Sequence, residues 1–190
     1  MTLFKTLTAG LLALSFAALP LNAQDTEIGP AVGDMLTLDF ATTDQDGAAQ
    51  NFDSFVGENG AVLVFYRSAK WCPYCQMQLI DLNMHALAEV QQRGYSLVGI
   101  SYDPTRDLTR FQKKWQLGFP LLSDEGSKII DALGLRNWDY KEDHFAYGVP
   151  HPVFLVLDRD KRVAAKLMRE SYRERPETEV LIETLDTLAN

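Results

Sequence analysis

Only two cysteines occur in the 190 residues, Cys72 and Cys75, within Ala69-Lys70-Trp71-Cys72-Pro73-Tyr74-Cys75-Gln76. A pair at this spacing exchanges electrons, closes a structural disulfide, or supplies half of a zinc site. Ahead of it runs Ala61-Val62-Leu63-Val64-Phe65-Tyr66, an unbroken apolar run of the kind a buried strand needs. Behind it Pro73 opens a long helical pattern, at the position where proline is favoured. A thiol at that handover meets the free N–H groups and the positive end of the helix dipole, both of which stabilise a thiolate. Cys72, just before the helix, is therefore expected to be the nucleophile and the more exposed sulfur. Cys75, one turn inside, is expected to be shielded and to resolve a mixed disulfide formed at Cys72.

The other uses of the pair are weaker. Zinc would need two more ligands, and the only histidines are His85, His144 and His151. A disulfide across so short a loop restricts the unfolded chain little, so stability is a poor reason for it. Lys70 and Arg67 stand just before Cys72. They either lower its pKa by Coulomb attraction or are simply solvated.

The elements that must position these groups begin after an N-terminal segment. Residues 1–23 carry one base and no acid, an apolar stretch from Leu7 to Leu19, Pro20, and a small residue at Ala23. That is the layout of a secretory signal peptide, and the apolar stretch is shorter than the roughly 20 residues of a membrane span. The expected domain is 24–190. Removing 1–23 takes away Lys5 and no acid, so the formal charge goes from −8 to −9. That balance argues against nucleic acid and anionic membrane surfaces as partners. An exported chain, periplasmic or secreted, meets an oxidising compartment.

Leu36 to Phe40 alternates and predicts a first strand, and Gln50 to Phe55 a short extended piece. A strand is expected at 61–66. The helix from Pro73 carries Met77, Ile80, Met84, Leu87 and Val90, or apolar positions near them, at helical spacing and stops at Gly94. Tyr95 to Ser101 is the next strand, and Asp103-Pro104 reads as a cap and first residue of a helix running to about Leu117. A short strand at Leu121-Leu122 and a helix from Asp124 to Leu133 follow. Residues 136–149 read as a loop insertion. Pro152 to Leu157 and Arg162 to Met168 form a hairpin, and a last amphipathic helix follows Pro176. This alternation predicts an α/β fold, a mixed sheet covered by helices on both faces.

At this point the chain resembles a thioredoxin-fold protein. More narrowly it resembles the redoxin branch that holds peroxiredoxins (the alkyl hydroperoxide reductase and thiol-specific antioxidant family) and secreted thiol–disulfide oxidoreductases. The resemblance covers about residues 30–188. It rests on Val64 to Cys75 with its Trp-Cys-Pro-Tyr-Cys core, on Leu97-Val98-Gly99-Ile100-Ser101, on Phe119 to Asp124, and on Pro152 to Asp158.

The resemblance implies a thioredoxin-like fold, a central mixed β-sheet flanked by helices on both faces. It also implies a cis-proline opening the strand that faces the dithiol, six residues before the acid ending that strand. Counting back from Asp158 gives Pro152, preceded by His151, with Pro150 as the competitor. Trp71, Pro73, Tyr74 and His151 are the residues it would turn towards substrate. Two departures stand out. Thioredoxins keep a buried Asp six residues before the first cysteine, where this chain has Tyr66. Peroxiredoxins place Pro and Thr or Ser seven and three residues before the reacting cysteine, where this chain has Phe65 and Ala69, with Ser68 one residue off. The insertion, with Trp138, Tyr140, His144, Phe145 and Tyr147, is either a substrate-facing surface or packing over the sheet edge.

The primary expectation is an exported thiol–disulfide oxidoreductase acting on protein substrates. It would need no cofactor beyond the Cys72–Cys75 disulfide, and an electron-donor redox protein would be its partner. A peroxiredoxin-like peroxidase reducing hydroperoxides through Cys72 is the alternative. A copper-handling protein using the cysteines with His144 or His151 ranks last, because such proteins normally separate their cysteines by three residues.

Overall fold

The computed structural model describes residues 28–169 and 171–189. The expected signal segment at 1–23 lies outside the described residues. No described helix is long and apolar enough to cross a membrane.

Leu36 to Phe40 is not a strand. Met35 makes a single bridge to Arg162, and Phe40 takes a left-handed backbone (φ 52°) that ends the extended run, yet Leu36 and Phe40 are still buried. The first strand is β1 (Thr42–Asp44), joined to β2 (Ala49–Gln50). The extended piece expected to reach Phe55 is instead a short helix, α1 (Phe52–Phe55). Asn51 caps it by accepting from the Ser54 N–H, and the Ser54 hydroxyl satisfies the Asn51 N–H in return. Then come β3 (Gly60–Phe65), α2 (Pro73–Asp81), a π-helical turn over Leu82–Ala86, and α3 (Leu87–Gln92), ending at Gly94 (φ 74°). β4 (Tyr95–Ser101), α4 (Thr105–Trp115), β5 (Leu121–Ser123) and α5 (Lys128–Ala132) precede the insertion. β6 (Val153–Leu157), β7 (Val163–Leu167) and α6 (Thr178–Leu188) close the chain.

The sheet order is β2-β1-β5-β4-β3-β6-β7. β3, β4 and β5 are parallel and the remaining pairs antiparallel, so this is the expected mixed α/β architecture. Strand period two divides the core. Val62, Val64 and Tyr66 face Leu79, Leu82, Val90, Leu108, Leu181 and Leu185 on one side. Ala61, Leu63 and Phe65 face Phe52, Ile129, Ile130 and Leu133 on the other.

The long helix keeps part of its expected apolar face, with Val90 buried and Ile80 and Leu87 packed against the core, but not Met77 and Met84. Its buried stripe is Cys75, Leu79, Leu82, Ala86 and Val90, while Met77 and Met84 point outward, 57% and 67% exposed. Cys75 itself anchors this stripe, because residues three and four apart share a helix face. The dithiol is thus built into the core side of the helix.

Candidate active site

The turn from Arg67 to Trp71 carries Cys72 to the N-cap of α2, where its sulfur accepts from the Cys75 N–H at 3.2 Å. Pro73 occupies the first turn and gives up a donor that would have no intrahelical partner. The turn is held from below by Asp103. Its carboxylate accepts from the Ser68 hydroxyl (2.7 Å), the Ala69 N–H (2.6 Å) and the Ser101 hydroxyl (3.1 Å). Ser68 Oγ in turn accepts from the N–H groups of Lys70 and Trp71. Asp103 is therefore not the cap of α4. Pro104 holds that position, and the acid is buried against the dithiol turn instead. Burial pushes the Asp103 carboxyl up, while its three hydrogen bonds pull it down.

The position that thioredoxins give to a buried acid holds Tyr66, which is fully buried. Burial first, and the charge of Asp103 second, push its phenol up, so it stays protonated at neutral pH and supplies no base. Gly99 makes room for it, since a Cβ there would lie 3.1 Å from the Tyr66 ring and 2.7 Å from Leu121.

Cys72 and Cys75 are joined in a disulfide, with Cα atoms 5.2 Å apart. Both are fully buried, so Cys72 is not the more exposed sulfur. Two guanidinium groups lie against the sulfurs. Arg67 Nη2 donates to Cys72 Sγ at 3.3 Å. Arg175 Nη2 lies 3.7 Å from Cys72 Sγ and 3.5 Å from Cys75 Sγ. Arg67 is sandwiched by aromatic faces, its Cζ 5.6 Å from the Trp71 centroid and 4.9 Å from that of Tyr172. Among the described residues neither guanidinium forms an ion pair with a carboxylate. Burial, and then the neighbouring Arg67, pull Arg175 down to about 10. Lys70 turns away and pairs with Asp107 at 3.2 Å, so of the two bases before Cys72 only Arg67 reaches the sulfur.

Among the described residues every peptide bond is trans, including those before Pro150 and Pro152. The cis-proline expectation fails at both positions. Pro150 bridges Arg136, and the His151 N–H donates to Leu135 O at 2.7 Å, so this segment enters β6 already extended. The chain reverses within the insertion, where Arg136 and Pro150 pair antiparallel across it. Polar contacts to the sulfurs come from Arg67, Arg175 and the Cys75 N–H, not from this loop. His151 meets the site at one remove, its ring 5.4 Å from that of Tyr172, and burial pulls its pKa down.

The insertion does adjoin the site. Trp71 Nε1 donates to the Tyr102 hydroxyl (2.9 Å), which donates to Phe145 O (3.1 Å), and the Trp71 and Phe145 rings meet edge to face at 5.1 Å. Phe145 and Trp138 remain 69% and 63% exposed. His144 stacks between Tyr140 and Phe145, and its Nδ1 accepts from the Ala146 N–H. Among the described residues no three His, Cys, Asp or Glu side chains gather as a metal site. Tyr74, 58% exposed, lines a cavity of about 850 Å³ with Met77, Met84, Arg173 and Arg175. Arg175 thus stands between that cavity and the sulfurs.

A model of the AhpC/TSA family matches residues 32–166. The chain belongs to that family. Peroxiredoxin Bcp of Escherichia coli is 31% identical over 125 residues, 65% of this chain and 77% of that protein. The crystal structure of peroxidoxin BcpB from Mycobacterium tuberculosis superposes with a TM-score of 0.69 at 25% identity, over 85% of this chain and 98% of that one. Peroxiredoxin Q of Xanthomonas campestris shares the fold, with a TM-score of 0.68 at 19% identity, over 84% and 99% of the two chains. The protein is an oxidoreductase of this family with a thioredoxin-like fold.

Three residues of this site escape a reading of the sequence. Asp103 looks like a helix cap, because Asp-Pro before a helical pattern is the usual cap signature. Tyr172 and Arg175 lie about a hundred positions beyond the cysteines in a segment with no periodicity. Only its three arginines in seven residues between Met168 and Pro176 mark that segment as unusual.

Proposed function

We propose that the protein is a thiol peroxidase that reduces hydroperoxides through Cys72. The observation that carries this reading is the Arg67–Cys72 contact at a helix N-terminus inside an AhpC/TSA scaffold. A guanidinium and free N–H groups at one sulfur favour its thiolate, which is the species that attacks peroxide. The thiolate attacks the outer oxygen of the hydroperoxide. This forms a sulfenic acid at Cys72 and releases the alcohol, or water from hydrogen peroxide. Cys75, one helical turn away, then attacks the sulfenic sulfur and expels water. The product is the Cys72–Cys75 disulfide, which a dithiol electron donor must reduce.

The missing Pro and Thr/Ser do not remove the parts this chemistry requires. Peroxide-orienting donors are supplied here by Arg67 and Arg175, one from the turn and one from the segment before α6. Thiol–disulfide exchange on protein substrates, the primary expectation from the sequence, becomes the second reading. It is favoured by a bond already formed between sulfurs one helical turn apart. Export rests on residues 1–23 alone, and we propose a periplasmic or secreted location on that ground.

The test uses pre-reduced protein and hydrogen peroxide. Wild type is expected to consume peroxide orders of magnitude faster than free cysteine, and Cys75→Ser to leave a trappable sulfenic acid on Cys72. A rate no better than free cysteine sinks the peroxidase reading. Insulin reduction by wild type but not by Cys72→Ser would then favour the second.

A further inference from the structure

The two sulfurs are not equally provided for. Cys72 Sγ has the Cys75 N–H, Arg67 and Arg175 around it. Cys75 Sγ lies inside the helix, and the donor that reaches it is Arg175, at 3.5 Å. Arg175 is fixed by its own loop, with Nη1 donating to Tyr172 O (3.1 Å) and Glu174 O (2.6 Å). That loop is tied in turn to the helix carrying Cys75. Gln78 Nε2 donates to Pro176 O at 3.2 Å, and the Thr178 hydroxyl bonds the Asp81 carboxylate. The placement of Arg175 against Cys75 is therefore set by contacts one and nearly two turns along the same helix.

The charges around the oxidised bond are unbalanced. Two guanidiniums face a neutral disulfide, no carboxylate pairs with either among the described residues, and both Nε atoms are buried without a partner. A half-buried cation without a counter-charge loses part of its hydration uncompensated, and a thiolate on either sulfur would offset that loss. Arg67 can serve Cys72. For Cys75 the relief must come from Arg175.

We propose that Arg175 is a catalytic residue of the reductive half-reaction, holding the negative charge on Cys75 as the disulfide opens. This rests on the reading of Cys72–Cys75 as a working redox pair. A thiolate of the dithiol donor attacks Cys72 Sγ and a new S–S bond forms there. The Cys72–Cys75 bond breaks, and its electron pair leaves on Cys75 Sγ, against Arg175. The donor's second thiolate then attacks its own sulfur in the mixed disulfide and expels Cys72 as a thiolate against Arg67. The donor leaves oxidised, and the pair is reduced by two electrons. A better-stabilised leaving thiolate leaves faster, so the guanidinium acts on rate as well as on equilibrium.

Two variants and two readouts test this. In a Cys72→Ser background, adding Arg175→Gln is expected to raise the pH midpoint of Cys75 alkylation by about one unit. With both cysteines present, Arg175→Gln is expected to shift the equilibrium with dithiothreitol about tenfold towards the disulfide, about 30 mV more negative for this two-electron couple. Arg175→Lys, which keeps a cation, is expected to recover most of both shifts. Unchanged alkylation profile and potential in Arg175→Gln would overturn the role of Arg175. A wild-type bond that dithiothreitol cannot reduce would defeat the redox reading of the pair itself, and this role with it.

Discussion

Arg67 lies over the ring of Tyr172, its guanidinium carbon 4.9 Å from the centroid, and from that position donates to Cys72 Sγ. Burial pushes the Tyr172 phenol up to about 12, so the ring is neutral at physiological pH and the contact is one of cation and π-face. A residue a hundred positions beyond the cysteines thus helps hold the cation that reaches Cys72 Sγ.

Arg67→Gln tests what that cation does. Removing a positive charge in contact with a thiolate raises the thiol pKa, because only the charged form loses an interaction. The pH midpoint of Cys72 alkylation in a Cys75→Ser background is expected to rise by about one unit, and peroxide consumption at pH 7 to fall about tenfold. An unshifted midpoint would mean that Arg67 is structural only.

Asp103→Asn addresses the floor of the turn. Three donors converge on this carboxylate, and an amide presents its own N–H groups to at least one of them. A loss of about 1–3 kcal/mol is expected on chemical denaturation. The pH dependence carries a sign. The folded-state pKa is raised, so the folded chain holds the proton more tightly than the unfolded one. That contribution is complete below the unfolded value near 3.9 and is lost as pH rises through the folded value. The deficit of the Asn variant relative to wild type is therefore expected to be widest near about pH 4 and to narrow towards neutrality. A deficit that widens with pH would contradict this.

The parts of the fold legible in the sequence were those with strong local signals. The apolar run ending at Tyr66, the proline opening α2 and the alternation of strands with helices all sit where their patterns put them, because burial on both faces and helix N-terminal preferences act locally. Met77 and Met84 misled, since a helical period gives spacing but not phase. The buried face runs instead through Cys75, Leu79, Leu82, Ala86 and Val90. Pro152 misled for another reason. Its offset from Asp158 matches, but the bond before it is trans, and an offset in the sequence does not set an isomer. Arg175 and Tyr172 were out of reach because tertiary contact alone brings an aperiodic loop to a distant helix.

Gly99→Ala probes the ceiling above Tyr66. The added methyl would lie 2.7 Å from Leu121 Cδ2 and 3.1 Å from the Tyr66 ring, and both residues are fully buried. Overpacking of this kind costs about 1–3 kcal/mol. The variant is expected to melt several degrees lower. Pairing it with Leu121→Val, which removes a methylene beside the new methyl, is expected to recover part of the loss. Simple addition of the two penalties would show that Leu121 is not what the new methyl strikes.

Tyr172→Ala separates cover from chemistry. Tyr172 touches Arg67, His151 and Tyr140 through its ring, and it precedes Arg175 in the loop that lies against the fully buried sulfurs. Losing the ring removes a contact worth about 0.5–2 kcal/mol with Arg67 and, with it, part of the packing that holds the loop against the sulfurs. Two effects are expected together: faster reduction of the wild-type disulfide bond by a bulky phosphine, and a modest rise in the Cys72 thiol pKa in the Cys75→Ser background. Tyr172→Phe keeps the ring and its face, so it is expected to show neither. If both variants behave alike, the hydroxyl rather than the ring is what matters. If neither changes phosphine access, the cover over the sulfurs lies elsewhere, and Trp71 with Phe145 becomes the next surface to remove.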